Sequence, residues 1–292
     1  MKNKYLLPRW CRPLGFLLAI PGLALGYLYS IKGYEIPGFG FNLRENDTLF
    51  YSRFENFTNE LAIFLVVIGL TCMAFAKSKK EDELSSKIRL NALYWSMMTY
   101  YSAFILGVLI TKVFGSIPFI SEHVYELSIV MPLLIFNLRL HYLQYAGKDR
   151  FVISPPYFLP RRPFRFAGIL CTVAGAAGLI YALATENLFS SDSWWPGICY
   201  FIFFFGLFFW AFSKHKTEDE MMVQQCMESL QIAFYFNYIL FLVATLTVYS
   251  ISYLFILMLA QFSLLLYFII RMEYVRYKNQ KITDTFEGGM TR

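Results

Sequence analysis

The chain has 292 residues, 57% of them hydrophobic and only 16% charged, with 31 Phe and 21 Tyr. A soluble domain carries about 25% charged residues, so this composition excludes an ordinary soluble protein, and a mean hydropathy of +0.47 agrees. The formal charge of +6 is no nucleic-acid footprint, because the basic residues lie in short segments between apolar runs, the pattern of membrane topology.

A spanning helix needs about 20 mostly apolar residues. Eight stretches qualify: 13–31, 58–76, 91–113, 124–146, 164–184, 195–213, 229–250 and 252–271. The expected fold is therefore an all-α, polytopic membrane helix bundle. With the N-terminus inside, only Lys32, Arg44, Arg53 and Lys112 of the 26 Lys and Arg fall outside. This asymmetry places both termini in the cytoplasm. The lipid bilayer is the first partner it implies.

The first span begins like a signal peptide, but Leu7-Pro8-Arg9 and Gly26-Tyr27-Leu28-Tyr29 return 152 residues later as Leu159-Pro160-Arg161 and Gly178-Leu179-Ile180-Tyr181. A cleaved leader has no reason to recur internally, so the span reads as retained. Pro21-Gly22, and Gly175 and Gly178 in the fifth span, read as kink or close-packing positions. The segment 32–57 carries Gly33, Pro37, Gly38 and Gly40, and two N-x-T sequons at Asn46 and Asn56.

An acidic phrase follows the second span, Lys79-Lys80-Glu81-Asp82-Glu83-Leu84, and returns 137 residues later as Lys216-Thr217-Glu218-Asp219-Glu220-Met221. Ser78 with Glu81, and Thr217 with Glu220, fit the S/T-x-x-E capping box, and carboxylates in a first turn favour the helix dipole. A helix from Glu81 to Val113 would be about 50 Å long at roughly 1.5 Å per residue. That exceeds a hydrocarbon core of about 30 Å, so each copy pushes helical turns into the cytoplasm. The competing reading of these six acids is a docking platform for a basic partner.

The fourth and eighth spans close alike. Leu133 to Tyr142 aligns with Leu265 to Tyr274 at a separation of 132, bringing Arg139 onto Arg271 and Tyr145 onto Tyr277. These arginines read as snorkelling side chains in an aromatic belt, or as partners of the acidic phrase in their own half. The separations 152, 137 and 132 describe two tandem four-helix repeats, 1–146 and 164–278. Between them lies a basic, Pro-rich linker, 147–163, and a tail, 279–292, follows. An even number of helices per repeat gives both the same orientation, as in parallel-repeat transporters.

Few charges remain inside the spans, which argues against a proton- or sodium-coupled carrier. The mid-membrane polar candidates are Asn137, Asn237 and Gln261, whose default role is helix–helix hydrogen bonding. The five Cys and three His show no metal spacing, and no nucleotide, hydrolase or metalloprotease motif is present. No cofactor and no metal are expected.

On the acidic phrase, the aromatic positions Trp95, Tyr101 and Tyr238, and the closing Arg271-Met272-Glu273-Tyr274, the chain resembles bacterial polytopic integral membrane proteins that carry K-x-E-D-E before a transmembrane helix. The resemblance covers both repeats, most clearly 213–277. It implies a helical membrane fold and a bacterial inner membrane, and no activity. The expectation is a non-enzymatic sensor or regulatory scaffold that presents paired acidic helix extensions to a cytoplasmic protein. The alternative is an uncoupled transporter or pore between the repeats.

Overall fold

In the computed structural model the described residues are 6–41, 55–79, 83–115, 124–145, 158–185, 194–214, 220–247 and 251–290. They form eight helices: α1 (Cys11–Lys32), α2 (Thr58–Phe75), α3 (Glu83–Phe114), α4 (Val124–Tyr145), α5 (Arg161–Ala184), α6 (Trp195–Phe212), α7 (Glu220–Thr247) and α8 (Ile251–Met290). Each is long and apolar enough to cross a membrane. The fold is that of a polytopic helical bundle.

Hydropathy located every span, and the third and seventh helices start ahead of their apolar stretches, at Glu83 and Glu220, as the acidic phrases led one to expect. The eighth runs through the expected tail to Met290 instead of stopping at 271. Glu, Gln, Lys and Arg are good helix formers, so these helices continue after their apolar residues end. At roughly 1.5 Å per residue, the 32, 28 and 40 residues of α3, α7 and α8 all exceed a hydrocarbon core of about 30 Å.

Contacts gather the chain into two units, Met1–Pro155 with Phe236–Gln261, and Pro156–Tyr235 with Phe262–Arg292. The division falls inside α7 and α8 as well as in the linker region.

In the first unit, α1 buries little besides Cys11, Gly15, Ala19 and Gly22, a stripe of small residues that lets two backbones approach. A Cβ on Gly15 would stand 2.6 Å from the Gly69 carbonyl oxygen, and one on Gly69 would stand 2.5 Å from the Ala19 nitrogen. The rest of α1 exposes large apolar side chains such as Leu17, Ile20 and Tyr27, a face suited to lipid. Gly33 ends the helix at φ 59°, its N–H bonding Tyr29 while Tyr34 bonds Leu28, the left-handed cap that glycine permits. Before α1, Leu7 runs parallel to the exit of α2: its N–H donates to Phe75 at 3.0 Å, and Lys77 donates back to Leu7 at 3.0 Å. A carbonyl orphaned at the helix end is thereby satisfied.

The segment after α1 holds two short antiparallel strands, β1 (Gly40–Phe41) and β2 (Glu55–Asn56), which no alternation of apolar and polar residues announces. Asn56, part of a sequon, has its amide engaged: Nδ2 donates to Ile36 at 3.0 Å, and Oδ1 accepts from the Thr58 backbone and hydroxyl. Thr58 is fully buried and its hydroxyl also accepts from the Ile36 N–H at 2.9 Å. The triplet pins the loop to the start of α2. Deeper in the unit, Leu93, Tyr94, Met97 and Tyr101 of α3 and Leu133 and Phe136 of α4 form the core, with Phe75 packed on Phe136.

In the second unit the first helix again buries small residues, Gly168, Thr172 and Gly175. A Cβ on Gly168 would stand 2.6 Å from the Trp210 nitrogen, and one on Gly206 would strike the Thr172 nitrogen. Leu159 donates to Phe212 at 2.8 Å and accepts from Lys214 at 2.8 Å. Phe203 and Tyr200 of α6 meet Phe262 of α8, over a core of Leu230, Phe234, Leu265 and Phe268. Of the glycines expected to mark kinks or close packing, Gly22 and Gly175 approach the backbone nitrogens of Val66 and Phe203, while Gly178 faces the Cys199 side chain. Trp194 stands exposed, and Trp195 packs on Tyr181.

Candidate functional site

The acidic phrase lies almost wholly outside the described residues. Glu81, Asp82, Glu218 and Asp219 are not among them, and Glu83 and Glu220 are described only as the first residues of α3 and α7. The capping boxes and the docking geometry fall there too. What the structure places is the polar chemistry at and below these helix ends.

In the first unit Asn137 is buried on α4, and its Nδ2 donates to the Leu70 carbonyl of α2 at 3.0 Å and to Leu133 at 2.9 Å. A side-chain amide spending both protons on backbone oxygens is helix-to-helix glue. Asn237 and Gln261 are likewise buried, in α7 and α8. Tyr238, an aromatic landmark in the sequence, donates its hydroxyl proton to the Ile129 carbonyl of α4 at 2.9 Å. Among the described residues Arg89 is the largest fully buried side chain, and it reaches the Ala76 carbonyl at the exit of α2 at 3.4 Å. Near the start of α1, Arg12 donates to Gln144 of α4 at 3.1 Å.

In the second unit a carboxylate gathers three helices. Glu273 of α8 accepts from buried Arg165 of α5, from Trp210 Nε1 of α6 at 3.2 Å, and from Arg276 of α8 at 3.4 Å. Both of its oxygens are occupied by guanidinium or indole donors. A carboxylate so committed serves as a clasp and is badly placed to act as a general base. Sequence reasoning missed this cluster, because Arg165 looks like one more charge of the basic linker and Glu273 like a filler of the closing motif. The signal was available: the small residues pair as Gly15 with Gly168, Ala19 with Thr172 and Gly22 with Gly175, a separation of 153 rather than 152. That shift sets Arg165 in the place of Arg12.

Farther along α7 and α8, Asn279 donates to Gln225 at 2.7 Å, and Gln224 donates to Glu228 at 3.1 Å. One side-chain hydrogen bond thus ties the polar ends of these two helices together.

Arg139 and Arg271 hold equivalent places. The Arg139 guanidinium lies 5.3 Å from the Trp95 ring centroid, and that of Arg271 lies 5.6 Å from the ring of Tyr274. Each has a buried Nε without a hydrogen-bond acceptor. The expected pairing with the acidic phrases involves side chains outside the described residues. Among the described residues no group of three or more His, Cys, Asp or Glu could hold a metal ion, and the cysteines are free thiols. Comparison with protein-family models, curated proteins and solved structures found no match. The likeness to bacterial membrane proteins therefore rests on the residue pattern alone.

Proposed function

We propose that the chain is a tandemly duplicated multi-pass protein of a bacterial inner membrane, both termini cytoplasmic, acting as a non-enzymatic sensor or regulatory scaffold. The observation that carries this reading is the joined pair of polar helix ends. α7 and α8 continue past their apolar stretches and are held to each other there by Asn279 and Gln225. An isolated helical extension in water would fray, whereas two ends tied to each other support a shared surface at the start of which Glu218, Asp219 and Glu220 lie in sequence. α3 likewise begins in polar residues at Glu83, directly after Glu81 and Asp82.

The duplication is supported by bonds that recur at the sequence separations. Leu7 bridges Ala76 as Leu159 bridges Ser213, separations of 152 and 137. Gly69 meets Ala19 as Gly206 meets Thr172. The fourth-helix positions Leu133, Phe136 and Leu140 are buried as are Leu265, Phe268 and Met272. The distribution of Lys and Arg supports cytoplasmic termini.

The test is photo-crosslinking in whole cells from probes at Lys79 and Lys216. Protein adducts are expected, falling by about tenfold when Glu81, Asp82, Glu83, Glu218, Asp219 and Glu220 are changed to their amides, the effect of removing roughly one charge-assisted hydrogen bond. Adducts indifferent to that change would overturn the scaffold reading. So would solute flux in proteoliposomes that survives it, which favours the uncoupled transporter.

A further inference from the structure

Arg139 and Arg271 share three features. Each is half-buried at the edge of a lipid-facing strip, each lies against an aromatic ring, and each carries a buried Nε with no acceptor. Arg271 is the first charged residue after the apolar run 264–270, and Arg139 is the first on α4 after Glu126. The strips beside them are equivalent. Leu138, Tyr142 and Tyr145 are exposed on α4, as are Ile270, Tyr274 and Tyr277 on α8. Tyrosines so placed mark headgroup depth, and the aliphatic residue one step before the arginine lies where acyl chains run.

We propose that Arg139 and Arg271 each bind the phosphate of an anionic phospholipid in the leaflet at that end of their helices. A guanidinium stacked on a ring keeps the donors along its edge free. Its planar fork suits two oxygens of a phosphate. Among the described residues neither arginine has a carboxylate partner, so the headgroup supplies the missing negative charge. An anionic lipid fits better than a zwitterionic one, whose own ammonium competes for the phosphate. The inference requires the membrane fold only and does not depend on the scaffold reading.

Native mass spectrometry of the purified full-length chain tests it, with phosphatidylglycerol as the probe and phosphatidylcholine and inorganic phosphate as controls. The unchanged chain is expected to retain two phosphatidylglycerols that the Arg139→Gln/Arg271→Gln double variant loses. Each single variant should lose one, with binding at that site weakened about tenfold, the order of one charge-assisted hydrogen bond. Arg139→Lys and Arg271→Lys keep the charge and lose the planar fork, so they should fall between. Should the glutamine variants not fold, Trp95→Leu and the lysine variants carry the test, Trp95→Leu weakening the Arg139 site alone. The proposal is overturned if the double variant retains both lipids or if phosphatidylcholine is held equally. It is also overturned if inorganic phosphate displaces the lipid, which would mark a soluble-anion site. Higher lipid occupancy at Arg139 in a Glu81→Gln/Asp82→Asn/Glu83→Gln variant would do the same, assigning the arginine to the acidic phrase.

Discussion

Where α1 meets α2, the close approach is made by Gly15, Ala19, Gly22 and Gly69; where α5 meets α6, Gly168, Thr172, Gly175 and Gly206 make it. The packing is the same, but the polar anchors are not. The first four helices carry a buried amide, Asn137, on the Leu70 carbonyl, and the corresponding positions in the last four are Ile269 and Leu207, both apolar and buried. The last four carry a half-buried ion pair, Arg165 with Glu273, where the first four have the milder Arg12 and Gln144. Backbone contact tolerates no added atoms, so the glycines hold their places. A polar anchor only has to leave no buried group unsatisfied, so amide, ion pair and apolar packing can replace one another.

The sharpest way to break this comparison is to add a methyl group to each glycine contact. Gly69→Ala and Gly206→Ala should each cost on the order of 2–3 kcal/mol by overpacking backbone on backbone, measured by reversible unfolding in detergent. A loss in only one half would end the equivalence. Next in size is Glu273→Gln, which leaves buried Arg165 facing a neutral group. Breaking a buried pair costs about 3–5 kcal/mol, and with 34% of the Glu273 side chain exposed roughly 2 kcal/mol is expected after screening.

Smaller effects sharpen the contrast. Tyr238→Phe removes the hydroxyl's bond to the Ile129 carbonyl and should cost about 1 kcal/mol, read in the same unfolding assay. Asn137→Leu gives the first four helices the apolar anchor of the last four. It should cost only about 0.6 kcal/mol, the average for interhelical hydrogen bonds in membranes. Gln144→Glu, which gives Arg12 the charge partner that Arg165 has, should change stability by less than about 0.5 kcal/mol, because an exposed or half-exposed pair contributes little.

Legibility in the sequence followed the physics of each feature. The eight spans were readable because lipid demands unbroken apolar length. Asn137 stood out because a lone amide in such a run needs a neighbouring backbone. The cluster of Arg165, Trp210 and Glu273 did not, since its members lie on three helices and none is unusual in its own segment. Only the one-residue shift between Gly15/Gly168 and Leu7/Leu159 hinted at it. The full length of α3, α7 and α8 was partly legible: capping signals announced early starts, but nothing in hydropathy required α8 to run on to Met290. Tyr238 is conspicuous as an aromatic, while its hydroxyl, the part that bonds, carries no periodic signal.

The proposed duplication makes the two sets of four helices one unit used twice in the same orientation. It is tested most directly by labelling single cysteines in a background without the native five, using a membrane-impermeant maleimide on intact cells. Asp47→Cys and Ser190→Cys should both be labelled from outside, while Ser78→Cys and Thr217→Cys should be labelled only after the membrane is opened. Labelling of Asp47→Cys and Ser190→Cys from opposite sides would contradict it.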